Sequence, residues 1–106
     1  MARFNNEEER AAWALAESLI RRAREMMHQA ERALETFAAG KELNRLHCSR
    51  RGIGATDAEI RWVSTAHAQK ALADNTFHVS QAVMYYGAAA ANYSRALYLR
   101  SHDLQA

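Results

Sequence analysis

At 106 residues, with 14 basic and 12 acidic side chains and a formal net charge of +2, the chain has room for one domain and lacks the charge imbalance that would imply an electrostatic target. Proline is absent, alanine fills 23 positions and only ten residues are β-branched, a composition that favours helix and disfavours sheet. The single cysteine, Cys48, excludes an intrachain disulfide and a thiolate metal cluster.

No apolar leader follows Met1, and the longest apolar run, Ala82 to Ala91, has ten residues against the ~20 needed to cross a bilayer. The expectation is a soluble cytoplasmic chain with no membrane segment. The first helix is expected over about 6–46. Asn5 or Asn6 can cap it, and Glu7, Glu8 and Glu9 place negative charge at the positive end of its dipole. Gly40 is the one internal interruption: it either stays helical at a cost of ~1 kcal/mol or ends the helix after Ala39. Residues 47–55, His47 to Ala55, carry two glycines two positions apart and form the loop. Thr56-Asp57-Ala58-Glu59 reads as a capping box that opens a second helix over about 57–102, stopped at Ser101-His102-Asp103. Asp74-Asn75 offers a restart, but helical spacing continues through it and no break is expected. The whole of 1–106 is one helical domain.

Each helix carries small residues every seven positions: Ala16, Ala23, Ala30 and then Phe37 in the first, and Ala66, Ala73, Ser80, Gly87 and Ser94 in the second. Larger residues follow three or four positions on, Leu19, Ile20, Met26, Met27 and Leu34 in the first and Phe77, Val83, Met84, Leu97 and Tyr98 in the second. Such a series lets two helices approach closely while its neighbours close over the contact. Setting Ala16 opposite Gly87, Ala23 opposite Ser80, Ala30 opposite Ala73 and Phe37 opposite Ala66 puts every pair's midpoint between Arg51 and Gly52, inside the expected loop. The fold class is therefore all-α, a long antiparallel two-helix hairpin with an alanine-rich seam. Its rival is a bundle of shorter helices broken at Gly40 and near Asp74-Asn75.

The second helix carries more apolar surface than one partner can cover. Leu72, Val79, Tyr86 and Tyr93 form another heptad line, Ala82, Ala89 and Ala96 a third, and Arg95 is the only charged residue between Ala82 and Leu99. Tyr85 lies in the same stretch, and tyrosine suits interfaces because its ring buries while its hydroxyl keeps a polar contact. Leu72, Val79, Ala82, Tyr85, Tyr86, Ala89 and Tyr93 are thus the expected interface. It pairs two hairpins into a four-helix bundle or larger helical oligomer, a dimer first, or docks a different helical protein.

No catalytic constellation and no cofactor motif is found. Gly52-x-Gly54 lacks the strand and third glycine of a dinucleotide loop, and Cys48 beside His47 does not make a nucleophile. Glu25-Met26-Met27-His28 has the Glu-x-x-His spacing of helical di-metal carboxylate sites, and the register brings His78 and Asp74 opposite. Glu25, His28, Asp74 and His78 are therefore the alternative, a ferritin-like metal-binding protein; the ordinary reading of these side chains is a solvated, salt-bridged face. Arg45, Arg50, Arg51 and Arg61 make the loop end basic, and a small nucleic-acid-binding factor using them is a further alternative to a solvated loop. Trp13 and Trp62 flank the seams and read as packing residues.

About a hundred residues with one central loop, Arg51-Gly52-Ile53-Gly54, between two alanine-rich helices resemble the small secreted hairpins of the WXG100 family, over the whole chain as architecture. The family's Trp-x-Gly turn is absent, since the nearest tryptophan, Trp62, stands in the second helix, and His102 rather than an acidic residue follows Tyr98 by four. What the resemblance implies is a helical hairpin. The leading expectation remains a non-enzymatic assembly or interaction protein that associates with itself.

Overall fold

Asn6 opens the first helix. Its side-chain Oδ1 accepts the Glu9 N–H at 2.8 Å, and the Glu9 carboxylate reaches back to the Asn5 N–H at 2.9 Å. Two amides that no helical carbonyl can serve are thereby satisfied. The structure, a computed structural model, describes residues 4–105 and is all-helical: α1 is Glu7–Arg50, α2 Ala55–Val63 and α3 Ala66–Gln105. Residues 1–3 and Ala106, which the expected single domain includes, lie outside the described residues. α1 and α3 pack together in antiparallel sense, and their contacts fall into two units, one joining residues up to Met26 with those from Ser80 onward, the other Met27–Val79.

In the first unit the buried residues of α1 are Glu9, Ala12, Ala16 and Ala23, and those of α3 are Ala82, Ala89 and Ala96. Three contacts set the pairing. Glu9 meets Arg100, the Trp13 ring meets the edge of Tyr93 at 4.9 Å, and Arg22 donates to the Tyr85 hydroxyl at 3.5 Å. Numbers fall along α3 as they rise along α1.

In the second unit the Asn75 side-chain amide donates to the Ala30 carbonyl at 2.9 Å, and Ala68 and Ala71 are buried. Trp62 anchors α2. Its ring packs on Phe37 at 5.6 Å and lies directly over the backbone of Gly40, where a Cβ would come within 2.3 Å of it. Asn44 donates to the Ala58 carbonyl at 2.8 Å, and the buried Cys48 thiol points at the Asn44 side chain.

Four expectations about the elements are corrected. α1 runs through Gly40, as the expected helix over about 6–46 does, but continues to Arg50, so the loop shrinks from residues 47–55 to residues 51–54. Gly52, at φ +77, ends α1 with paired bonds: its own N–H to the Ser49 carbonyl and the Ile53 N–H to that of Cys48. Such a turn closes a helix on a left-handed residue, which glycine adopts without strain. The capping box at Thr56-Asp57-Ala58-Glu59 does not form, because α2 starts two residues earlier, at Ala55 with Gly54 as its cap and no side-chain cap bond, and Glu59 pairs with Lys41 at 3.0 Å instead.

The second helix is continuous through Asp74-Asn75, as expected, but it is divided at Ser64-Thr65 and runs up to Gln105, past the expected stop at Ser101-His102-Asp103. Polar side chains make the division. Ser64 Oγ donates to the Ile60 carbonyl, Thr65 Oγ1 to that of Trp62 and Gln69 Nε2 to that of Val63, while Thr65 Oγ1 also accepts the Ala68 N–H as the cap of α3.

Candidate interaction face

The seam of α3 lies on a different heptad line from the expected one. Ala82, Ala89 and Ala96 are fully buried against α1, whereas Ser80 and Gly87, with Ala66 and Ala73 earlier in the helix, are exposed. On the α1 side Ala16, Ala23 and Ala30 are fully buried and Phe37 half-buried. The residue bonded to Ala30 is Asn75, not Ala73. Methyl groups fill a close contact without leaving a polar atom to satisfy, while Ser80 and Ser94 would take their hydroxyls into it. Helix α3 therefore turns its all-alanine line inward and its serine–glycine line outward.

The expected interface residues move with it. Ala82 and Ala89 are hairpin core; Tyr93 packs on Trp13; Tyr85 is half-buried, with the Arg22 guanidinium 5.9 Å over its ring. Val79 is half-buried, and Leu72 and Tyr86 sit at the margin, each 39% exposed. These residues flank the alanine line at the three-and-four spacing that closes over a helix contact.

Much of what α3 leaves outside, from Ser80 to Tyr98, is apolar. Val83, Ala90 and Leu97 form one heptad line and Met84, Ala91 and Tyr98 another, with Ser80, Gly87 and Ser94 between them; every one of these residues is exposed. Val83 is 64% and Met84 67% open to solvent. No Asp, Glu, Lys or Arg occurs from Asn75 to Ser94. The outside of α1 in the same unit differs: Arg10, Glu17, Arg21, Arg24 and Glu25 are exposed there, as on an ordinary solvated helix face. Val83, Met84, Leu97 and Tyr98, expected to close over the intrachain seam, instead make up the exposed face.

The two mid-helix glycines make the contrast sharper. Each costs ~1 kcal/mol relative to alanine. At Gly40 the Trp62 ring occupies the space of a side chain; at Gly87, its own helix backbone and chain neighbours apart, nothing among the described residues lies within 4 Å of where a Cβ would stand.

The other candidate groups are engaged locally or stand apart. His28 lies 4.0 Å from Glu31, Asp74 takes the Lys70 ammonium at 2.7 Å, Glu25 is exposed, and the buried His78 Nδ1 has no hydrogen-bond partner among the described residues. Among the described residues no three His, Cys, Asp or Glu side chains are grouped to hold a metal. Arg45 grips Glu42 through two bonds of 3.0 and 2.6 Å, which hold the Glu42 carboxyl below its ordinary range and push the Arg45 guanidinium up. Arg50, Arg51 and Arg61 are exposed. A cleft of about 200 Å³ between α1 and α2 is lined by Lys41, Glu42, Asn44, Arg45, Ala58 and Glu59, charged groups largely paired with each other. Among the described residues no helix is long and apolar enough to cross a membrane. No protein-family model, curated protein or solved structure matches this chain.

Proposed function

We propose that this chain is a non-enzymatic helical assembly protein that works through protein–protein contact, associating with itself across the outward face of α3. The observation that carries the reading is the exposed stripe of Val83, Met84, Leu97 and Tyr98, on a segment whose only charged residue from Asn75 to Tyr98 is Arg95. A contiguous apolar patch rimmed by polar residues marks an interaction surface. Two hairpins pairing there form a four-helix assembly with both α3 helices inside, which covers the surplus apolar surface.

Sedimentation velocity on a double variant, Val83→Glu with Leu97→Glu, tests this. Both side chains point to solvent in the single chain, so the variant should keep the parent's helical circular dichroism. It should lose association by at least a hundredfold in dissociation constant, because two carboxylates per chain would be desolvated without partners. Tyr86→Glu with Tyr93→Glu is the poorer experiment, since Tyr93 packs on Trp13 inside the hairpin. A charged variant that associates as the parent does would rule the face out.

A further inference from the structure

The outward face of α3 has a symmetric order of side-chain sizes. On one line alanine sits between two larger residues seven positions away, Val83-Ala90-Leu97; on the neighbouring line the order repeats as Met84-Ala91-Tyr98. Between them Gly87 and Ser94 stand three and four positions on either side of the Ala90–Ala91 bond. Read backwards from that bond, the face has the same sequence of large and small residues as it has read forwards.

A twofold interface requires a surface that complements itself, because each residue meets its symmetry mate on the same patch. Resting on the self-association just proposed, we infer that two copies pair antiparallel through α3, with the twofold axis between Ala90 and Ala91. Val83 then packs on Leu97 of the second copy and Met84 on its Tyr98, while alanines meet at the axis and Gly87 faces Ser94.

Gly87 supplies independent support. Glycine weakens a helix interior, and among the described residues nothing outside its own helix backbone uses the space above Gly87. A second helix backbone laid close to α3 does use it, since the absence of a side chain is what permits the approach. The size of the face is also sufficient. At the observed exposures of Val83, Met84, Leu97 and Tyr98, and with the small residues between them, each chain offers roughly 600–800 Å², close to the ~800 Å² per partner of a specific interface. Because the face holds no carboxylate or cation before Arg95, a partner has no charge to match there, and a second copy of the same face fits it.

The pairing is tested by site-directed cross-linking in a Cys48→Ala background, with Val83→Cys and Leu97→Cys chains prepared separately and mixed, and a short bismaleimide as reagent. The expected product is the mixed Val83→Cys/Leu97→Cys dimer. Like-to-like products should be scarce, because the two 83 positions of an antiparallel pair stand roughly 20 Å apart along the axis at 1.5 Å per residue. Gly87→Leu gives a second readout. It should raise the melting temperature of the dilute single chain and weaken dimerisation at least tenfold, opposite effects that a purely structural role for Gly87 would not produce. Dimers that cross-link like to like, or that tolerate Gly87→Leu, overturn this pairing and leave self-association standing; a chain that remains monomeric removes both.

Discussion

Gly40→Ala should lower stability by about 1–3 kcal/mol, although alanine is the better helix former. The added methyl would fall 2.3, 2.7 and 3.0 Å from three atoms of the Trp62 six-membered ring, and that ring is 5% exposed with Phe37 and His67 against it. A rigid indole cannot yield by changing one terminal torsion, so α2 must shift on α1. Trp62→Ala alone should cost about 3–5 kcal/mol, the usual loss for a large buried aromatic. The informative variant is the pair. Once the ring is gone, Gly40→Ala should become stabilising by up to ~1 kcal/mol, because only helix propensity remains. Denaturant midpoints with unchanged slopes provide the readout. If Gly40→Ala has the same sign with and without Trp62, the two are not in contact.

Arg100→Ala should cost about 2–3 kcal/mol. Glu9 is 2% exposed, and its carboxylate receives the Arg100 Nε–H at 2.6 Å and the Asn5 N–H at 2.9 Å. Removing the arginine leaves a buried charge with the backbone bond alone. Breaking a buried pair typically costs 3–5 kcal/mol, and the lower figure reflects an Arg100 side chain that is 38% exposed, so that water reaches part of the gap. Replacing both partners, Glu9→Leu with Arg100→Met, should recover most of the loss because no unpaired charge is left. A double variant as unstable as Arg100→Ala would show that the carboxylate is not what makes the loss large.

The parts of the fold that were legible in the sequence rest on local chemistry or on a single unambiguous series. Asn6 and the acidic turn behind it, the alanine line of α1 and the turn at Gly52 are of this kind. The break at Ser64-Thr65 was not legible, since neither residue is a helix breaker by type. It depends on hydroxyl and amide groups finding the last carbonyls of α2, and on the docking of Trp62 against Gly40, a contact between residues far apart in the chain. Helix α3 is less legible because it carries more than one small-residue heptad. Periodicity finds each of them and cannot say which faces α1. One signal was present: the line through Ala68, Asn75, Ala82, Ala89 and Ala96 holds no serine or glycine, and its one polar member has a carbonyl, that of Ala30, to bond. The exposed face is visible in the sequence as surplus apolar residues, but a seam drawn through Ser80 and Gly87 puts its members inside the hairpin and the true core flanks outside it.

Multi-angle light scattering on a size-exclusion column, with the parent chain diluted over a hundredfold concentration range, decides whether the chain associates with itself. The expected result is a mass approaching twice 12.0 kDa at the upper end and falling toward 12.0 kDa on dilution. A folded chain that elutes at 12.0 kDa throughout would contradict it.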